Sequence, residues 1–188
     1  MKTRPNSVRL PLTDEVVKDL RAGDSLRLSG IMYAGRDASL KRMVEALDQD
    51  KALPIDIRGQ TIYFMGPTPA RFERVVGSAG PTTSGRMAAY LPRLMAEGLK
   101  GIIGKGMLPQ GVRDVMKRYR VVYFAAVGGT GALICQSIKK AKLVAYEELG
   151  DAEALRLLEV EGFPVTVVND IYGGDLYLEG KARYRVQA

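Results

Sequence analysis

The 188-residue chain contains no histidine, no tryptophan and a single cysteine, Cys135. One cysteine cannot make an internal disulfide framework. Zinc sites need several Cys or His ligands, and iron–sulfur clusters are usually held by several Cys thiolates. This chain by itself supplies neither set. Without imidazole there is no Ser-His-Asp or Cys-His apparatus, so acid–base work falls to carboxylates, lysine, tyrosine or an activated hydroxyl. Cys135 lies in the apolar run Ala132-Leu133-Ile134-Cys135 and reads as a small core residue. No apolar stretch approaches the roughly 18 residues of a membrane helix. The N-terminus, Met1 to Leu12, is basic but lacks the apolar segment of a secretory signal, so a cytoplasmic protein is expected. Aromatics are 7% of residues, which leaves little for base stacking.

Apolar residues make up 46% and charged residues 26%, the balance of an ordinary globular protein. The length suits one domain over residues 1–188, large enough to bury a core. The net charge of +7 suits an anionic ligand, an acidic partner or nucleic acid. Its densest basic stretch, Arg113-Lys117-Arg118-Arg120, reads as the solvated face of a helix or as a polyanion patch.

Apolar spacing predicts a short helix capped by Thr13 and stopped by Gly23, a strand over 25–33, and a helix from Asp37 with Leu40, Met43, Val44 and Leu47 inward. Segments 55–57 and 61–65 flank Arg58-Gly59-Gln60 as a hairpin. Met87, Tyr90, Leu91, Leu94 and Met95 recur at helical spacing, and Pro92 either kinks this helix or sits in the first turn of a new one. A strand at Ile102-Ile103, a basic helix over 111–119 and a buried strand over 121–127 follow. Beyond a glycine turn and another helix, a strand at 143–146, a helix over 153–158 and strands at 165–168 and 176–178 complete the chain. The fold class expected is α/β, with a β-rich front half and strand–helix alternation in the second.

Three places put a cation or hydroxyl where a strand gives way to a helix, and helix N-termini favour anions. They are Arg36, the group Thr82-Thr83-Arg86, and Lys105 between Gly104 and Gly106. Together they could grip a dicarboxylate, arginine as a fork and lysine as a point charge. Each also has a plainer reading: an N-cap for Thr82 or Thr83, a surface ion pair for Arg36. Lys105 lacks the following Ser/Thr and the upstream glycine of a P-loop. Gly128-Gly129-Thr130-Gly131 could hold a phosphate or simply form a tight turn. Glu147-Glu148 reads as a solvated strand end.

The segment Gly80-Pro81-Thr82-Thr83-Ser84-Gly85-Arg86-Met87, followed by Ile103-Gly104-Lys105-Gly106, resembles the β subunit, or C-terminal domain, of class I fumarases and L-tartrate dehydratases. Gly35-Arg36-Asp37-Ala38, Gly66-Pro67-Thr68-Pro69, Glu153-Ala154-Leu155, Val160 to Pro164 and Asn169-Asp170 extend the likeness in order across most of residues 20–178. The resemblance implies a three-layer β/β/α swivelling domain. It also implies a hetero-oligomer whose separate α subunit holds a [4Fe-4S] cluster by three cysteines, with one iron open as a Lewis acid. No metal ligand, nucleic acid or membrane is implied for this chain. Carried over by position, Thr82 is the proton-exchanging base, and Arg36, Arg86 and Lys105 contact the substrate carboxylates. Leu40 stands where many members have histidine, which puts fine specificity in question.

The first expectation is therefore reversible hydration of fumarate to L-malate, active only with the cluster-bearing partner. L-Tartrate dehydration to oxaloacetate is the alternative within the same chemistry. A basic nucleic-acid-binding module is the alternative outside it, and would bind with a steep salt dependence.

Overall fold

A computed structural model describes residues 6–70 and 74–185. Met1 to Pro5, the first part of the stretch read above for a leader, lie outside the described residues. Seven strands are present: β1 (Ser7–Arg9), β2 (Ser25–Ala34), β3 (Thr61–Tyr63), β4 (Gly101–Gly104), β5 (Val122–Ala125), β6 (Ile138–Ala145) and β7 (Leu155–Asn169). The helices are α1 (Asp14–Val17), α2 (Asp37–Asp48), α3 (Leu91–Ala96), α4 (Gln110–Tyr119), α5 (Gly131–Ile134) and α6 (Leu176–Tyr184). None is long and apolar enough to cross a membrane among the described residues.

Strands β2, β3, β4 and β5 pair in parallel in that order. Strand β7 then pairs antiparallel with both β5 and β2, closing a five-stranded, barrel-like ring. β1 adds beside β2, and β6 lies along the first half of β7. Closure leaves fewer unpaired edges for another chain to exploit.

The period-two alternation of the strands sorts two cores. Met32, Tyr63, Ile103, Phe124, Phe163 and Val167 face inward as one buried cluster. Ile62, Phe64, Ile102 and Tyr123 face outward, where Leu40 and Met43 of α2, Leu91 and Leu94 of α3, and Val112 and Met116 of α4 cover them.

Several expectations change. The strand–helix alternation runs through β2-α2-β3-α3-β4-α4-β5, ahead of the long antiparallel strands, so the β-rich part is the back of the chain and not the front. Residues 55–57 do not pair with β3 as a hairpin; β3 lies between two parallel neighbours. Asp56 instead accepts from the Arg58 N–H at 3.1 Å in a local turn. Residues 155–158 belong to β7, because pairing on both edges overrides the helical propensity of Leu and Arg. Leu176 to Leu178 open α6, whose N-cap Asp175 accepts from the N–H groups of Tyr177 and Leu178. Pro92 does sit in the first turn of α3, after a separate 3-10 turn over Ser84–Met87. Thr13 caps α1 as expected, and Cys135 is buried.

Candidate functional site

The C-terminal ends of the parallel strands all open at one end of the ring. In open α/β sheets this is where ligands bind. Arg36 follows β2, the Phe64 to Gly66 segment follows β3, Lys105 follows β4, and the Gly128 to Gly131 turn follows β5.

The Thr82 loop is tied into this end by its backbone. The Thr82 N–H donates to the Phe64 carbonyl at 2.6 Å, and the Thr82 carbonyl accepts from the Lys105 N–H at 3.2 Å. The Ser84 N–H then donates to the Lys105 carbonyl at 2.8 Å, so residues 82–84 run beside Lys105 as a short parallel bridge. Gly104 permits this approach: a Cβ there would stand 2.1 Å from Ser84 Oγ and 3.0 Å from the Phe64 ring.

Buried hydroxyls hold the frame beneath. Ser84 Oγ lies 2.9 Å from the Tyr123 hydroxyl, which donates to the Gly106 carbonyl at 2.7 Å. The Gly106 N–H donates to the Tyr177 hydroxyl at 3.1 Å. Burial pushes the Tyr123 phenol far above its ordinary pKa, with the Ser84 hydrogen bond pulling weakly the other way, so it stays neutral. Tyr63 donates to the Ala79 carbonyl and fixes the loop just before Gly80. The Gly128 to Gly131 turn packs against this loop, with the Ala79 N–H donating to the Gly131 carbonyl at 3.1 Å.

Arg36 is the N-cap residue of α2, and Asp37 is the first residue of the helix proper. The cap is made by Ser39, whose Oγ accepts from the Arg36 N–H at 2.9 Å and donates to the Arg36 carbonyl at 3.1 Å. The Arg36 guanidinium lies over Gly66, where a Cβ would come within 3.0 Å of Nη1. Its Nη1 pairs with Glu153 Oε1 at 3.2 Å, both side chains being about one-fifth exposed. Its Nε is buried with no hydrogen-bond partner among the described residues. Asp37 pairs with Arg86, whose Nε donates to Oδ1 at 3.1 Å while Nη2 stands 2.8 Å from Oδ2 in the same ion pair.

All four residues predicted from sequence are thus brought to one end of the ring. Thr82 is half-buried and Lys105 is exposed. Neither the Thr82 hydroxyl nor the Lys105 ammonium has a hydrogen-bond or ion-pair partner within the chain among the described residues. The Lys105 side chain passes beside Gly128. Leu40 is fully buried and packs beneath Gly35, so it faces the core and not the ligand end. Glu147 and Glu148 are exposed, Glu148 pairing with Arg42. The basic stretch of α4 is not a continuous free face, since Arg113 turns inward onto Asp175 and Arg120 pairs with Asp14 at 3.5 Å. Sequence reasoning missed the carboxylates that hold the arginines; that Glu153 meets Arg36 depends on a contact 117 positions away that local spacing cannot reveal.

Among the described residues no group of three His, Cys, Asp or Glu could hold a metal ion. Cys135 is buried, with its thiol donating to the Ala132 carbonyl at 3.1 Å. The residues present therefore do not fit an iron–sulfur cluster. An open groove of about 990 Å³ lies to one side, lined by Arg27, Thr130, Leu133, Lys139 and Glu161. It meets the ligand end at Ala125, Val127, Thr130 and Leu133, and its lining includes none of Arg36, Thr82, Arg86 or Lys105.

Over residues 2–180 the sequence matches the family described as Fumarase C-terminus. It is 38% identical over 154 residues to the aerobic class I fumarate hydratase of Escherichia coli K12, covering 81% of this chain and 28% of that protein. It is 34% identical over 175 residues to a Geobacillus stearothermophilus protein provisionally named fumarate hydratase class I, covering 91% of this chain and 33% of that one. A Methanocaldococcus jannaschii chain provisionally named L(+)-tartrate dehydratase subunit beta is 36% identical over 173 residues, 89% of each. The chain spans about a third of the length of the fumarate hydratases it matches, and nearly all of the length of the tartrate dehydratase subunit. With its motifs in order from Gly35 to Asp170 and its matched span almost complete, the chain belongs to the Fumarase C-terminus family.

Proposed function

We propose that this chain is the β subunit of a heteromeric hydro-lyase that interconverts fumarate and L-malate. The observation that carries the reading is the meeting of Arg36, Thr82, Arg86 and Lys105 at the C-terminal ends of the parallel strands. Three cations at one end of the ring match the two carboxylates of a small dicarboxylate, and the Thr82 hydroxyl, without a partner among the described residues, stands with them. L-Tartrate is the second reading, favoured by the relative of matching length, whose name is that of a tartrate dehydratase subunit. The ring's two walls with α2, α3 and α4 outside them we read as the β/β/α layering of a swivelling domain.

In this scheme the two arginines supply planar, bidentate contacts to carboxylates, and Lys105 supplies a compact charge. Thr82 exchanges the proton on the carbon next to a carboxylate. A threonine hydroxyl is a weak base, so it needs a positive field and a proton acceptor beside it. Lys105, bonded through its backbone to Thr82, contributes the field. The acceptor is a carboxylate from the opposing wall, supplied by an α subunit that also holds the [4Fe-4S] cluster this chain cannot ligate. By itself the chain is inert.

The test is co-expression with a three-cysteine partner, cluster reconstitution without oxygen, and turnover of fumarate and tartrate side by side. Thr82→Ala lowers kcat by roughly 10²–10⁴-fold, the usual worth of a positioned acid–base group. Undiminished turnover by Thr82→Ala would exclude the assigned role.

A further inference from the structure

Glu153 lies in the turn before β7, far in sequence from every residue of the candidate site. That turn is fixed by the Glu153 and Ala154 N–H groups donating to the Gly150 carbonyl at 3.1 and 2.9 Å. From there the carboxylate divides its two oxygens. Oε2 accepts from the Ala38 N–H in the first turn of α2 at 3.0 Å, and Oε1 pairs with Arg36 Nη1 at 3.2 Å. Gly66 packs against the same arginine, where a Cβ would come within 3.0 Å of Nη1 and 3.1 Å of Cδ.

We propose that Glu153 is a positioning residue, which acts through Arg36 to hold its guanidinium in the orientation that receives a substrate carboxylate. The inference rests on the hydro-lyase reading above. Arginine has rotamer freedom to lose on binding, and a side chain already clamped loses less. Glu153 takes Nη1 and leaves Nε without a partner among the described residues. An N–H without a partner among the described residues is an orphan donor, which adds to the cost of any reorientation of the guanidinium. Two effects of the carboxylate oppose each other. Its charge weakens the pull of Arg36 on an anion, while its clamp fixes the geometry. The same carboxylate also anchors the α2 backbone at Ala38, so clamp and scaffold are one rigid unit, and positioning dominates.

The assembled, cluster-loaded complex tests this with Glu153→Gln and, in parallel, Glu153→Asp. Glutamine keeps an acceptor for the Ala38 N–H but turns its amino group toward the guanidinium, so α2 stays capped while the clamp is lost. Aspartate is too short to reach both partners. Either variant that assembles is expected to raise KM about three- to tenfold, the cost of re-immobilising one long side chain. kcat should stay within roughly twofold, because loss of uniform binding appears in KM alone. A merely structural role would lower the melting temperature or the active fraction and leave KM alone. In an Arg36→Ala background the Glu153→Gln change should have no further effect on KM. An unchanged or lowered KM, or an effect that persists without Arg36, overturns the positioning role and leaves the hydro-lyase intact. A loaded wild-type complex that turns over neither fumarate nor tartrate overturns the hydro-lyase reading and this inference with it.

Discussion

Gly104 decides how closely the Thr82 loop can approach Lys105. Its backbone is not in the left-handed region, so the constraint is crowding and not conformation. A methyl group there would stand 2.1 Å from Ser84 Oγ, closer than side-chain carbons come in folded proteins, and 3.0 Å from the Phe64 ring, which would have to give by a few tenths of an ångström. Gly104→Ala is therefore expected to push Ser84 off Tyr123 and to spread the bridge between residues 82–84 and Lys105. Overpacking of this kind costs about 1–3 kcal/mol. Thermal unfolding of the chain checks that loss, and turnover of the loaded complex should fall further than stability does, because Thr82 moves with the loop. The sequence announces Gly104 only as one flank of a lysine. What makes it necessary is a hydroxyl 20 positions away, which no spacing rule connects to it. Arg36, the Thr82-Thr83-Arg86 group and Lys105, by contrast, are marked in the sequence as cations and hydroxyls where strands give way to helices, while the roles proposed for them rest on the family resemblance.

At the level of elements, helices with strong apolar stripes are read well. α2 and α4 lie within a residue of where Leu40, Met43, Val112 and Met116 put them. β7 is read poorly at its start, since its first residues favour helix and only β2 and β6 on either side make them a strand. α6 is missed because Leu176-Tyr177-Leu178 alternates like a strand while the deciding signal is the cap just before it. That cap carries a pH dependence. Burial pushes the Asp175 carboxyl up, but hydrogen bonds from Leu178 N–H, Asn169 and Arg113, with the Arg113 charge, outweigh it and hold the pKa below the usual value. A depressed carboxyl contributes stability above its unfolded pKa and loses it as pH falls through the folded one. Asp175→Asn keeps a capping oxygen but leaves Arg113, only 16% exposed, without its counter-ion. Breaking such a pair costs about 3 kcal/mol, a melting temperature roughly 6–12 °C lower for a chain of this size. The gap between wild type and variant should be full at neutral pH and shrink once the pH drops below about 3.9. A gap that is constant down to strongly acidic pH would show that the charge of Asp175 is not what stabilises α6.

For the whole molecule, the ring closure is the feature the sequence conceals most. Parallel order follows from alternating strands and helices, but β7 returning between β5 and β2 is a long-range pairing without a local signature. Closure fixes which end of the ring carries the candidate site, and leaves that end open on one side. Val127 and Leu133 are 67% and 65% exposed there, beside the Gly128 to Gly131 turn that packs on the Thr82 loop. Large apolar side chains so exposed next to an incomplete wall fit a surface that a second subunit covers. Val127→Asp combined with Leu133→Asp should therefore leave the isolated chain folded, since neither side chain is in either core. It should also abolish co-purification with the partner subunit proposed above, because burying two unpaired carboxylates at an interface is prohibitive. Circular dichroism and melting of the free chain, set beside size-exclusion of the co-expressed pair, separate the two effects. Undiminished complex formation by the double variant would place the partner on another face and leave these residues without a role in assembly.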